Sequence, residues 1–217
     1  MSKAILMSIQ PKWCELITNG EKTVEVRKTR PKLHPPFKCY IYCTKASKKY
    51  QTICGCMVLN SDELYRHPTQ GIKHGDSIEL MLCDDYSKDN FLNGKVIGEF
   101  TCNLITGLKA NNGIQTYYNG IKETCLTDAE IIKYASGKMI YYWHISNLVI
   151  YDEPRELSGF YAPCPYKKRD GTRMNVPCPC DKYDWDYDEK TRKFYCTRRL
   201  TRPPQSWCYV EEISNES

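Results

Sequence analysis

The stretch Gly20-Glu21-Lys22-Thr23-Val24-Glu25-Val26-Arg27 changes within eight residues from a helix end to strand-like alternation. Its two valines face one side, and Thr23, Glu25 and Arg27 face the other, which indicates a β-strand. Opposite charges two positions apart can neutralise each other, and a guanidinium binds a carboxylate or phosphate through two parallel hydrogen bonds. Lys22 stands at the strand entrance and can turn towards the charged face. The alternative interpretation is a solvated surface ion pair that contributes little to the stability of the fold.

The residues before this stretch predict a strand over 3–9 and a short helix over 11–19. Pro11 suits the first helical position, and Gly20 suits the position just past the helix end. Apolar side chains recur between them at helical spacing, at Trp13, Leu16 and Ile17.

Ser8-Ile9-Gln10-Pro11, then Trp13, then Ile17-x-x-Gly20-x-Lys22-x-x-Glu25-x-Arg27 resemble the signature of the ASCH superfamily, the activating-signal-cointegrator homology domains. The resemblance closely covers about the first thirty residues. It implies a PUA-like fold, a small β-barrel with short helices across its openings, which is shared with readers of RNA and of modified bases. It also implies that the hallmark residues line a cleft between the barrel and the first helix.

Some small members of that family resemble amidohydrolases that act on acylated cytidine, and these use a Thr where this chain has Glu25. A carboxylate cannot replace a hydroxyl as acyl acceptor without changing the chemistry, so the same nucleophilic mechanism is not expected here. Thr23 lies nearby but at a different position, and the activity is not transferred to it.

The rest of the chain predicts an α+β fold dominated by strands. Because helices do not alternate regularly with strands, a closed barrel suits the pattern better than a parallel α/β sheet. A capping box beginning at Thr127 predicts a helix that stops at Gly137, and residues 84–94 read as a surface loop. The other predicted strands are 22–29, 39–43, 53–59, 76–82, 95–106, 141–145 and 148–150.

Charge is unevenly distributed along the 217 residues, although the formal net charge is only +5. Residues 1–50 carry 11 Lys and Arg against 3 Asp and Glu, and residues 158–208 carry 11 against 6. Two basic ends around an acidic middle favour contact with a polyanion such as nucleic acid; ordinary surface charge is the alternative. No apolar run approaches the ~20 residues of a membrane helix. The first residues are too short for a secretory signal, so a cytoplasmic location is expected.

The composition shifts near Pro154, which predicts a domain over 1–154 and a cysteine-rich basic extension over 155–217 packed on the barrel. The extension is poor in aliphatic residues and can hardly build its own core. Five of the 13 cysteines lie within it. A tetrahedral Zn²⁺ held by thiolates would supply the missing folding energy. The expected ligands are Cys164, Cys178, Cys180 and Cys196, with Cys208 as a substitute.

The zinc hypothesis has competitors, because structural zinc sites favour pairs of cysteines two to four residues apart. The single close pair in the extension, Cys178-Pro179-Cys180, has a shorter spacing than these sites favour, with one intervening residue. Reduced thiols without metal and a redox pair at Cys178 and Cys180 remain open. A catalytic zinc is not expected, since the four histidines are dispersed.

The leading functional hypothesis is a nucleic-acid or nucleotide-binding protein that recognises a base, modified or not, in a cleft. Glu25 would accept hydrogen bonds from the base, Arg27 would orient Glu25 or hold a phosphate, and Lys22 would supply a point charge. Side chains expected to help bind or stack are Gln10, Trp13, Tyr40 and Tyr42. One alternative is a small hydrolase of a modified nucleoside or of RNA that uses Lys22 and Glu25. Another is a protein-interaction module whose cleft is blocked.

Overall fold

The computed structural model describes residues 2–61, 64–65, 71–85, 91–109, 122–163, 185–189, 193–196 and 199–213. Two α-helices lie in these ranges, α1 (Pro11–Thr18) and α2 (Asp128–Ala135), with short 3₁₀ turns at Lys122–Thr124 and Leu157–Gly159. The strands are β1 (Lys3–Ile9), β2 (Val24–Arg27), β3 (Phe37–Cys43), β4 (Thr52–Val58), β5 (Leu64–Tyr65), β6 (Ile78–Cys83), β7 (Val96–Lys109), β8 (Met139–Arg155), β9 (Trp185–Asp188), β10 (Lys193–Cys196) and β11 (Trp207–Glu211).

Six strands form the main sheet in the order β11-β1-β3-β7-β8-β2. The pair β1–β3 is parallel, whereas the other neighbours in this sheet are antiparallel. Two smaller sheets have the orders β5-β4-β6 and β10-β9. The predicted α+β, strand-dominated class is therefore confirmed. Among the described residues, the strand pairing does not close into a complete ring.

Both faces of the main sheet are covered. One face carries the largest apolar cluster, to which Ile5, Ile41 and Trp143 belong. The opposite face carries a second cluster, in which Tyr40 and Tyr42 lie with side chains that come from the C-terminal segment. A strand buried on both faces shows no polar alternation that would tell the core face from an open one.

The local predictions around the first helix are confirmed. Pro11 occupies the first helical turn. Gly20 has φ +82°, in the left-handed region that favours glycine, and no atom would contact a Cβ placed there. The chain therefore reverses sharply, and the Lys22 N–H donates to the Leu16 carbonyl at 2.6 Å.

The second helix also begins as predicted. The Thr127 hydroxyl accepts from the Glu130 N–H, and the Glu130 carboxylate accepts from the Thr127 N–H at 2.8 Å, which completes a capping box. Ile131 and Ala135 of this helix pack on Val24 and Val26 of β2. The helix thus fixes the strand that carries the hallmark charges.

The interpretation of 84–94 as a surface loop is wrong at its C-terminal end, where Leu92 and Asn93 are buried. The Asn93 side chain accepts from the Ile53 N–H at 2.9 Å and donates to the carbonyls of Thr44 and Gln51. It satisfies three backbone groups, and this role explains why a polar residue is buried there.

The C-terminal segment completes the main sheet, because β11 pairs with β1 along Met7↔Trp207 to Lys3↔Glu211. The predicted boundary at residue 154 falls inside β8, which ends at Arg155. Within the described ranges no helix has the length and apolar character needed to cross a membrane.

The expected zinc ligands Cys164, Cys178 and Cys180 lie outside the described residues, and for Cys196 only its place in β10 is described. Cys208 lies in β11 against the second apolar cluster, where burial raises the pKa of its thiol to about 11. In the described part of the chain, no group of three or more His, Cys, Asp or Glu could hold a metal ion. The zinc site stays a prediction.

Candidate functional site

The three hallmark charges lie together and are almost fully buried. Glu25 is central: its Oε2 lies 3.4 Å from Lys22 Nζ, and its Oε1 lies 3.1 Å from Arg27 Nε. Exposure is 2% for Lys22, 6% for Glu25 and 8% for Arg27. The solvated surface ion pair considered from the sequence is thus wrong. Charges removed from water to this extent require close partners.

Lys22 is held by the backbone as well as by Glu25. Its Nζ donates to the Val24 carbonyl at 2.9 Å and to the Thr124 carbonyl at 2.6 Å. It also lies 5.1 Å from the centre of the Trp13 ring. The ammonium has three N–H groups, and two carbonyls and one carboxylate surround it. Lys22 therefore ties β2 to the 3₁₀ turn before α2.

Arg27 joins β2 to both ends of the chain. Its Nη2 donates to the Ser8 carbonyl at 2.8 Å, and its Nη1 donates to the Ser206 hydroxyl at 3.4 Å. The Nε–H has no hydrogen-bond acceptor of suitable geometry within the described residues, although Glu25 Oε1 is close. One guanidinium N–H is therefore left without an aligned acceptor beside the carboxylate.

A cleft of about 520 Å³ opens above these three side chains. Ligand sites in proteins typically have ~300–1,000 Å³, so the space accommodates a nucleotide-sized molecule. The other lining side chains are Ser8, Ile9, Gln10, Trp13, Val26, Lys28, Thr44, Tyr50, Leu126, Glu130, Lys133, Tyr134 and Gln205. Lysine and arginine outnumber the carboxylates among the lining residues, so the cleft favours an anionic ligand.

The walls of the cleft come from distant parts of the chain. Helix α1 supplies Trp13, and helix α2 supplies Lys133 and Tyr134. Thr44, just after β3, has a buried hydroxyl oxygen with no partner in the described ranges. Gln205 comes from the segment before β11.

The C-terminal wall is fixed by hydrogen bonds to β1. The Ser8 hydroxyl donates to the Pro204 carbonyl at 2.6 Å, and the Ser8 N–H donates to the Ser206 carbonyl at 2.9 Å. Sequence reasoning missed Gln205 and Ser206, because nothing near them has a recognisable spacing. These residues come near the cleft because their segment pairs with residues about 200 positions earlier, and such pairing exists only in the folded chain.

The structure brings together Lys22, Glu25, Arg27, Gln10 and Trp13 as predicted, but it places Tyr40 and Tyr42 elsewhere. Both tyrosines are buried in the second apolar cluster. The Tyr40 hydroxyl accepts from the Ile213 N–H at 2.9 Å, and burial raises the pKa of Tyr40 to about 12. The expectation that they stack on a ligand in the cleft is corrected: the C-terminal segment covers the sheet face that they occupy.

The arrangement suits binding better than nucleophilic catalysis. An amine that acts as nucleophile or base must direct a lone pair at its substrate, whereas Lys22 Nζ directs hydrogens at acceptors. The Ser8 hydroxyl is engaged with a carbonyl. Burial, followed by the neighbouring Cys43, raises the pKa of the Cys14 thiol well above its usual value, so this nearby cysteine is a poor nucleophile as well.

Comparison with family models matches residues 7–98 to the ASCH domain. The crystal structure of ASCH from Zymomonas mobilis is 15% identical, covers 70% of this chain and 69% of that chain, and has a TM-score of 0.39. The crystal structure of a mutant of that protein is 16% identical, covers 70% of this chain and 73% of that one, and has a TM-score of 0.40. No curated protein matches the chain.

Proposed function

We propose that the cleft binds a nucleobase of RNA or of a free nucleotide, since residues 7–98 match the ASCH domain, a family generally thought to bind RNA. The observation that carries the proposal is the buried charge cluster on the cleft floor. Glu25 lies between Lys22 Nζ at 3.4 Å and Arg27 Nε at 3.1 Å, and all three side chains line the cleft.

A nucleobase edge offers the matching groups. Each base has an N–H donor beside a carbonyl or ring-nitrogen acceptor. The donor would bind the Glu25 carboxylate, and the acceptor would bind the Arg27 guanidinium, since both residues line the cleft. Because a buried polar group left unpaired is costly, a molecule lacking such an edge would bind poorly.

Trp13 provides a face for stacking. It is half-buried and lines the cleft, and two ammonium groups lie near its ring, Lys22 Nζ at 5.1 Å and the exposed Lys12 Nζ at 4.8 Å from the ring centre. A base in the cleft would stack on this ring, and the rim residues Lys28 and Lys133 would be available to the ligand phosphate.

Binding of AMP, GMP, CMP, UMP and a mixed-sequence 12-nucleotide RNA by calorimetry tests the proposal. Stacking is worth ~1–3 kcal/mol per base, so Trp13→Leu should weaken the best ligand about 5- to 150-fold. Tyr161→Leu is the matched control, because Tyr161 also lies under a cation, Arg199, but outside the cleft lining. Failure of every probe to bind, or equal affinities for Trp13→Leu and Tyr161→Leu, would refute the proposal.

The two alternatives have less support. Hydrolysis of a modified nucleoside needs a base or nucleophile that the Lys22 hydrogen bonds do not provide, and chromatography of the bound nucleotides after incubation tests for products. An interaction module that retains only the fold was expected to have a blocked cleft. Here the cleft is open.

A further inference from the structure

The segment that follows β2 has an unusual concentration of positive charge beside the cleft. Lys28, Arg30 and Lys32, which we call the basic strip, are exposed. No carboxylate in the described ranges forms an ion pair with any of them. Lys28 also lines the cleft, so the strip begins where the cleft opens.

The C-terminal strand holds the strip in place. The Trp207 Nε1–H donates to the Thr29 hydroxyl at 3.0 Å, and the Lys32 N–H donates to the Tyr209 hydroxyl at 2.7 Å. Pro31 is buried between these contacts. The cations therefore project from a backbone that is fixed at two points.

Aromatic rings lie beside the cations of the strip. Lys28 lies 4.8 Å from the centre of the Tyr134 ring, and Arg30 lies 5.8 Å from that of Tyr141. Tyr209 stands at the end next to Lys32. Tyr134 is exposed and Tyr141 and Tyr209 are half-buried, so each ring is partly accessible. Cations that alternate with accessible rings are typical of surfaces that bind single-stranded nucleic acid, where phosphates meet cations and bases stack on rings.

We infer that the basic strip binds the single-stranded nucleic acid that flanks the base in the cleft, so that the protein reads one base within a strand. This inference rests on the proposed function of the cleft. From Lys28 to Lys32 the chain spans at most about 13 Å, at ~3.3 Å per residue, which brings three cations to successive phosphates. The partner chemistry is the phosphodiester backbone, which RNA and DNA share.

The double variant Arg30→Gln/Lys32→Gln tests the inference, because neither residue lines the cleft. Binding of a fluorescein-labelled, mixed-sequence 12-nucleotide RNA is measured by anisotropy between 50 and 200 mM salt. Each lost phosphate contact should reduce the slope of log K against log salt by ~0.7, so two should reduce it by ~1.4. Over this range the affinity of the unmodified protein should then fall about 7-fold further than that of the variant.

The matched control is Lys73→Gln/Arg155→Gln, which removes an exposed lysine and an arginine that lies over a tyrosine ring, Tyr151, towards the other end of β8. Its slope should equal that of the unmodified protein. A DNA of the same sequence should show the same decrease with the strip variant, because phosphates and base faces are common to both strands. A slope unchanged with both RNA and DNA would overturn the inference.

The proposal for the cleft and the inference for the basic strip are refuted by different results. Nucleoside monophosphates should bind the strip variant as they bind the unmodified protein, because they occupy the cleft alone. Sensitivity of monophosphate binding to Trp13→Leu, together with an unchanged salt slope in the strip variant, would overturn the strip and leave the cleft. The opposite pattern, in which the strip variant lowers the slope but Trp13→Leu changes nothing, would support the strip and overturn the cleft.

Discussion

Replacing Lys22 by Met should destabilise the fold, in addition to any effect on ligand binding in the cleft. The substitution keeps a side chain of similar length but removes the ammonium. The carbonyls of Val24 and Thr124 then lose their 2.9 Å and 2.6 Å hydrogen bonds, and Glu25 loses one of its two cations. None of these groups can be fully rehydrated, because Lys22 is only 2% exposed.

The magnitude follows from the burial. A hydrogen bond from a charged donor contributes ~1.5–3 kcal/mol, and removing one partner of a buried ion pair costs ~3–5 kcal/mol. These terms describe the same atoms and do not add, so the expected loss in the free energy of unfolding is about 3–5 kcal/mol. With an m value of ~2–3 kcal/mol/M in urea, the unfolding midpoint should fall by about 1–2.5 M.

Urea unfolding followed by circular dichroism measures this loss, with Lys138→Met as the control, because Lys138 is exposed just after α2. Lys22→Arg keeps the charge but presents a planar guanidinium instead of three diverging N–H groups. Its unfolding midpoint should lie between those of Lys22→Met and the unmodified protein. If Lys22→Met shifts the midpoint no more than Lys138→Met does, the ammonium does not hold β2 to the 3₁₀ turn.

Three further predictions concern the scaffold. Gly98→Ala should destabilise the protein by about 1–3 kcal/mol, because a Cβ there would lie 2.4 Å from the Val149 carbonyl oxygen, whereas Gly159→Ala, with open space around it, should have little effect in the same unfolding assay. Thr127→Ala should lower the melting temperature by about 2–4 °C at pH 7, and this difference should shrink on acidification. The hydrogen bonds that Thr127 donates lower the pKa of Glu130. The stabilisation that the Glu130 carboxylate provides is therefore complete above its ordinary pKa of 4.5 and is lost as the pH falls through the lowered pKa. A difference that grew towards low pH would contradict the capping box. In the native protein at pH 8, iodoacetamide should modify exposed Cys54 well before Cys56 and Cys102, since burial raises the pKa of those two thiols to about 11 and about 12; peptide mass spectrometry reads the order, and early modification of Cys102 would show that the core opens.

The part of the site that the sequence predicted is the part determined at short range. Pro11 begins the first helix, and Gly20 ends it in a conformation that few other residues adopt. Together they turn the chain so that Lys22 meets Glu25 and Arg27. Strand alternation then placed the two charged side chains on one face.

The part that the sequence could not predict depends on distant segments. Ser206 reaches Arg27 only because β11 lies beside β1. In the sequence, Tyr40 and Tyr42 have the alternation of a strand face that is open to a ligand. In the structure, the C-terminal segment covers that face. Polarity within a window of ten residues carries no information on contacts of this kind. The zinc ligands remain a prediction from the number of cysteines in a segment that lacks a core of its own.

Because β11 pairs with β1, the main sheet is complete only after the C-terminal segment has been synthesised. Lys3 pairs with Glu211, so a ribosome must add some two hundred residues after β1 before its open edge is covered. Until then, β1 presents unpaired backbone groups that invite association with other chains. Late closure of this kind predicts slow folding, and any tag or cut that disturbs residues 204–211 would also disturb the wall of the cleft, which Gln205 lines.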